Sequence, residues 1–211
     1  LPRAVEAAHI GAPAIIVLGP VAGLDAEALN WFEQRPLFGR TIAVTRTRQQ
    51  ASALTERLTE LGAAVIEAPT ITIHPPADPA DLDRAVGRIA EYDWLALTSA
   101  NGVAALAEAL ARLGRDSRSL AGVRIAAIGE ATVEAARRRL AIIPDLVPDR
   151  AVGEALAETM IEHASIAGRR VLLLRADIAR PALARRLSEA GAAVDDVAAY
   201  ATVPTESLPG D

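Results

Sequence analysis

Residues 39–65, "GRTIAVTRTRQQASALTERLTELGAAV", can be set over residues 168–194, "GRRVLLLRADIARPALARRLSEAGAAV", without a gap. Gly-Arg opens both segments, an arginine follows each apolar run (Arg46 and Arg175), and Ala-Leu, Arg-Leu, Glu and Gly-Ala-Ala-Val coincide. Each segment reads as an apolar strand, an amphipathic helix with apolar residues at helical spacing, and the start of a second strand. The grammar of β-α-β units produces some of this agreement by itself. A match of this length without a gap argues for two copies of one unit, and hence for two similar domains.

The same alternation runs through the rest of the chain. Strand-like runs occupy 13–19, 41–46, 63–69, 93–99, 123–129, 171–176 and 192–200, with a weaker, proline-broken candidate at 141–147. Between most of them lie amphipathic segments: Gln49–Leu61, Gly102–Leu113, Ala131–Leu140, Gly153–His163 and Arg180–Ala190. Continuous apolar strands separated by helices imply parallel sheets covered on both faces. The expected fold is therefore α/β, with two similar doubly wound, flavodoxin-like domains. The second copy is preceded by strand-helix units beginning near Trp94, Val123 and Ile142, enough for a five-stranded parallel sheet over 75–199. Before the first copy stand one helix, one strand and the turn-rich "NWFEQRPLFG" with its aromatic anchors. The first domain is accordingly expected to be incomplete here, its missing units following Asp211.

Composition narrows the chemistry. The 211 residues are 51% hydrophobic and 23% charged, enough to bury a core, and no apolar run approaches the roughly 20 residues of a membrane span. No membrane partner is expected, and no signal peptide is legible at the start. With no cysteine there are no disulfides or thiolate ligands, which suits a cytoplasmic location. A net charge of -5, six aromatics in all and no basic run longer than Arg137-Arg138-Arg139 argue against a nucleic-acid surface. Those arginines complement the dipole at the end of a helix. His9, His74 and His163 have no metal-ligand spacing, so no metal site is expected. Asp195-Asp196 is a carboxylate pair on a strand, where neighbours point to opposite faces.

The junction at 93–102, "DWLALTSANG", delivers small polar residues from a strand to a helix N-terminus. At the carboxyl end of a parallel sheet such a junction exposes backbone N–H groups and a positive dipole end, which suits an anion. Ser99 would cap or donate there, Asn101 would donate, and Gly102 would let a ligand approach the backbone. Ser99 is equally the residue type of an ordinary N-cap, and Thr98 of a strand. "IGEAT" repeats the design with Gly129 at the turn and Thr132 in the first helical turn; an ordinary turn would read the same way.

Four stretches in this order resemble uroporphyrinogen-III synthase: "GRTIAVTRTRQQASALTERLTELGAAVIEAPTI", "DWLALTSANGVAAL", "VRIAAIGEATVEAA" and "VAAYATVP". "AVEAAHIGAPAIIVLGPVAGLDAEALNWFE" resembles the end of uroporphyrinogen-III C-methyltransferase, and "RPLFGR" is similar to the joint of fused methyltransferase-synthases. The resemblance divides the chain into a methyltransferase-like remnant without activity (1–32), a linker (33–40), the first β-α-β of an incomplete first domain (41–74), a second domain (75–199) and a return linker (200–211).

The resemblance implies cofactor-free cyclisation of hydroxymethylbilane, with loss of water and inversion of ring D. It makes Tyr200 the acid or hydrogen-bond donor that helps the hydroxyl leave, in place of a buried aromatic with a satisfied hydroxyl. Thr98, Ser99, Asn101, Gly102, Gly129 and Thr132 become substrate-binding. Arg46 and Arg175, ending equivalent strands, become counter-ions for carboxylates, though each also suits a surface ion pair. This fragment is expected to be weakly active or inactive. The rival reading is a non-catalytic two-domain binder of a small ligand, which would leave its ligand unchanged.

Overall fold

A computed structural model describes residues 2–15, 17–23 and 30–205, and its contacts divide the chain into two units, Leu1–Ala68 and Pro69–Asp211. The first unit holds a short helix α1 (Pro2–Ala7), then β1 (Thr41–Val44), α2 (Arg48–Glu60) and β2 (Ala64–Glu67). The second holds β3 (Ile71–His74), α3 (Pro79–Gly87), β4 (Trp94–Leu97), α4 (Ala100–Arg112), β5 (Arg124–Ala127), α5 (Glu130–Leu140), α6 (Gly153–His163), β6 (Arg170–Ala176), α7 (Ala182–Glu189) and β7 (Ala193–Pro204).

The internal repeat survives down to single hydrogen bonds. β1 and β2 pair in parallel with Thr41 opposite Ala64, and β6 and β7 pair in parallel with Arg170 opposite Ala193, the residues the alignment equates. Ala64 N–H donates to the Arg40 carbonyl at 2.9 Å, and Ala193 N–H to the Arg169 carbonyl at 2.8 Å. Both helices end in a glycine of positive φ, Gly62 at 95° and Gly191 at 89°, where a side chain would be strained. The copies differ where Pro181 stands. A proline ring is tolerated at a helix start but not inside it, so α7 begins only at Ala182 while α2 starts at Arg48. The residues released from the helix form a loop, 177–181.

In the second unit the strand order is β3-β7-β6-β4-β5. β7, β6, β4 and β5 run parallel, and the order reverses between β4 and β6. Period-two alternation splits the core into two layers. Leu95, Leu97, Leu172 and Leu174 face α3, α4 and α5, whereas Trp94, Ala96, Val171 and Leu173 face α6 and α7. All four residues of β4 are buried, as a central strand of a doubly wound sheet requires.

Three expectations are corrected. The fifth parallel strand near 142–147 is reduced to one parallel bridge, Ala126 to Leu146. Pro144 has no N–H to give a ladder, and the Asp145 carboxylate accepts from Ile125 N–H at 2.7 Å in place of a strand carbonyl. The strand expected at 13–19 is not formed by its described residues, and Ile15 is 92% exposed. A strand needs a neighbour for its N–H and C=O groups, and none pairs with it among the described residues. Residues 71–74, grouped by the sequence with the first domain, form an antiparallel pair with 201–204, so β3 belongs to the second unit.

Helix α3 is an addition that the sequence reading lacks. Its signal was present: the Asp78 side chain caps it by accepting from Ala80 N–H at 3.0 Å, and Pro79 occupies the first turn. In the first unit, β1 and β2 pair only with each other among the described residues. The aromatic anchors before them stay in contact with water. Trp31 is 67% exposed and Phe32 45%, with the Arg35 guanidinium 4.7 and 4.6 Å from their rings.

Candidate functional site

A cavity of about 390 Å³ opens at the carboxyl ends of the parallel strands of the second unit. Thr98 follows β4, Ile128 follows β5, Arg175 and Ala176 end β6, and Tyr200 lies on β7. The cavity therefore sits over the crevice where the strand order reverses, the place where open α/β sheets hold ligands. The remaining wall comes from the loop before α6, the 177–181 loop and the first turns of α6 and α7.

A bulge sets Tyr200. Along β6 and β7, Arg175 lies opposite Ala198 but Ala176 lies opposite Tyr200, so Ala199 is the extra residue. Such a bulge interrupts the pleat and re-aims the side chain that follows it. Val197 and Ala199 stay in the core, and half-buried Tyr200 packs against that core while lining the cavity. Tyr200 is also held by its backbone, whose carbonyl accepts from Asp177 N–H at 3.0 Å.

Thr98 is half-buried and donates from Oγ1 to the Leu174 carbonyl at 3.1 Å, which ties the end of β4 to β6. Ser99 caps α4: its Oγ accepts from Gly102 N–H at 3.0 Å, leaving the hydroxyl proton for another partner. Gly102 is buried, and its N–H is taken by that cap. A Cβ added there would meet nothing nearer than 3.5 Å. Half-buried Asn101 sits in the same first turn.

Gly129 has extended backbone that any residue adopts, but its added Cβ would lie 2.7 Å from the Cβ of Ala151. Its smallness therefore has a packing cause, the seating of the α6-leading loop against the end of β5. Thr132 is 2% exposed, with its N–H donating to the Gly129 carbonyl at 2.9 Å.

The guanidinium of Arg175 is engaged on three sides. It donates to both carboxylate oxygens of Asp196, the Nη2 bond being 2.7 Å, and from Nη1 to the carbonyls of Ala176 and Ala179. The bond to Asp196 holds it protonated above the ordinary arginine range. Arg46 is exposed after β1 in the first unit. Asp195 and Asp196 point apart, as strand geometry requires. Asp195 accepts from the hydroxyl of buried Tyr92, whose pKa is raised to about 12, chiefly by burial and then by that bond.

Of the nine candidates, the structure brings Thr98, Arg175 and Tyr200 to one cavity. Ser99, Asn101, Gly102, Gly129 and Thr132 stand in the adjoining turns, and Arg46 belongs to the other unit. The loop residues Ala151, Val152 and Arg180 line the cavity and were not singled out from sequence. Pro181 was the available signal for the last, since a proline within a helical pattern frees the residues before it. Among the described residues no three His, Asp or Glu side chains are grouped to hold a metal ion.

Residues 52–211 match the family described as Uroporphyrinogen-III synthase HemD. A porphyrin biosynthesis protein HemD of Ruminiclostridium josui is 35% identical over 194 residues, covering 92% of this chain and 38% of that protein. A uroporphyrinogen-III synthase of Synechococcus elongatus is 37% identical over 185 residues, covering 84% of this chain and 66% of that protein. The chain thus spans less than two thirds of the length of either relative. A crystal structure of a mutant uroporphyrinogen III synthase from the extremely thermophilic bacterium Thermus thermophilus shares the fold, with a TM-score of 0.58 at 20% identity over 79% of this chain and 64% of that one. The family match runs through α2, the repeat's second copy and every strand of the sheet beneath the cavity, Tyr200 included, and the chain belongs to the uroporphyrinogen-III synthase HemD family.

Proposed function

We propose that the chain acts as a uroporphyrinogen-III synthase, closing hydroxymethylbilane with loss of water and inversion of ring D. The observation that carries this reading is Tyr200, re-aimed by a bulge into a cavity at the strand carboxyl ends, in a chain of this family. Tyr200 donates to the departing hydroxyl, the C–O bond breaks, and the adjoining pyrrole nitrogen supplies the electron pair that forms the azafulvene. The substituted carbon of ring D then attacks, and the spiro intermediate rearranges to the inverted ring. The proton lost as the last pyrrole regains aromaticity balances the one carried off in water. The protein's work is positioning and electrostatics, because unassisted closure gives the uninverted isomer. Ser99, Asn101 and the turns at Gly102 and Gly129–Thr132 are assigned to the carboxylate arms, while Arg175 is already paired with Asp196.

The reading calls for no cofactor. No described helix is long and apolar enough to cross a membrane. The absence of cysteine supports placing the protein in the cytoplasm. Residues 1–32 are assigned to the end of a methyltransferase-like portion on sequence likeness alone, with no methyl transfer expected. The test is to incubate the chain with hydroxymethylbilane, oxidise the products and separate uroporphyrin isomers I and III. Weak formation of isomer III above the spontaneous background is expected, because the first unit contributes only two paired strands among its described residues. No isomer III at any protein concentration would refute synthase action by this chain. A non-catalytic binder would retain its ligand unchanged.

A further inference from the structure

We propose that Arg180, rather than Arg175, is the guanidinium that meets a substrate carboxylate, and that Arg175 is a positioning residue for the loop presenting it. The inference rests on the synthase reading of the cavity and names the group that takes up one carboxylate arm. Arginine has five N–H donors. Arg175 spends four of them on Asp196 and on the carbonyls of Ala176 and Ala179, so its charge is paired and a single Nη2 hydrogen is left over. Its bond to Ala179, 2.7 Å long, anchors the segment immediately before Arg180.

Arg180 is the opposite case. It lines the same cavity, is exposed, and makes no ion pair or side-chain hydrogen bond among the described residues. Its position is electrostatically unfavourable for the fold. It stands just ahead of the N-terminus of α7, where a cation opposes the helix dipole, and the first turn of α7 has no acidic residue to offset it. The repeat sharpens the contrast. The aligned residue of the first copy is Ala51, fully buried in α2, whereas Pro181 delays α7 and turns Arg180 out into the cavity. Glu154 shares the cavity wall and is not paired with Arg180, so the attraction is a local contact and not a broad positive field.

The test is a fluorescence titration of the 211-residue chain with uroporphyrin III, an octacarboxylate, at low and high salt. Arg180→Gln is expected to raise Kd about tenfold at low salt with thermal stability unchanged, the loss shrinking at high salt. Arg180→Lys should recover part of it, a point charge replacing a fork. Arg175→Gln should weaken binding and lower stability, but add nothing to the Kd of Arg180→Gln in the double variant, since both act through one contact. Binding by the parent chain with an unchanged Kd in Arg180→Gln overturns this assignment and leaves the synthase reading standing. Failure of the parent chain to bind uroporphyrin III overturns both.

Discussion

Gly129→Ala tests whether the turn after β5 is a packing device or a ligand contact. The backbone at Gly129 is extended, so alanine brings no conformational strain, and the whole effect comes from space. Its Cβ would lie 2.7 Å from the Cβ of Ala151, about an ångström inside ordinary carbon contact, and both neighbours are backbone-fixed. Overpacking of this kind costs about 1–3 kcal/mol. With a urea m-value of about 2 kcal/mol/M, the unfolding midpoint should fall by roughly 0.5–1.5 M. The buried indole of Trp94 reports the second unit when Trp31 is replaced by Phe. Ala151→Gly in the Gly129→Ala background removes the opposing Cβ and should return most of the loss, giving a coupling that a double-mutant cycle can measure. Gly102→Ala serves as the control: its Cβ meets only 3.5 Å contacts, and stability should stay level or rise slightly. A midpoint unchanged in Gly129→Ala, or unrescued in the double variant, would refute the packing argument. If ligand affinity stays low after stability has been rescued, Gly129 also touches the ligand.

Tyr200→Phe should lower the rate of isomer III formation by roughly ten- to a thousandfold with little change in melting temperature, read by isomer separation; unchanged turnover removes the hydroxyl from the mechanism. High-pH stability tests Tyr92. Its folded pKa of about 12 lies above the usual 10, so its contribution is complete below pH 10 and is lost between about 10 and 12. The chain has no lysine and no cysteine, which leaves that window to tyrosine. Urea midpoints against pH should decline over it, and Tyr92→Phe should flatten the decline.

The sequence alone determined the parallel α/β architecture, because apolar strand runs and helical periodicity are local properties of the chain. It also determined the repeat, and the structure pairs the aligned strand residues of both copies in the same register. The N-cap at Ser99 was legible for the same reason, being a contact between residues three apart. What only the tertiary structure decided depends on pairing across distance. Whether 142–147 becomes a strand rests on the ladder Pro144 cannot complete, and whether 13–19 becomes one rests on a neighbour to bond with. The site divides in the same way. Thr98 could be named from its strand end and Tyr200 from the family resemblance, but that they share a cavity follows from β6 lying between β4 and β7, and the aim of Tyr200 follows from a bulge opposite β6. Arg175 and Arg180 look alike as letters. The partner that fills the first, Asp196, comes from the neighbouring strand, and the open position of the second comes from a proline that breaks the register of an otherwise repeated helix.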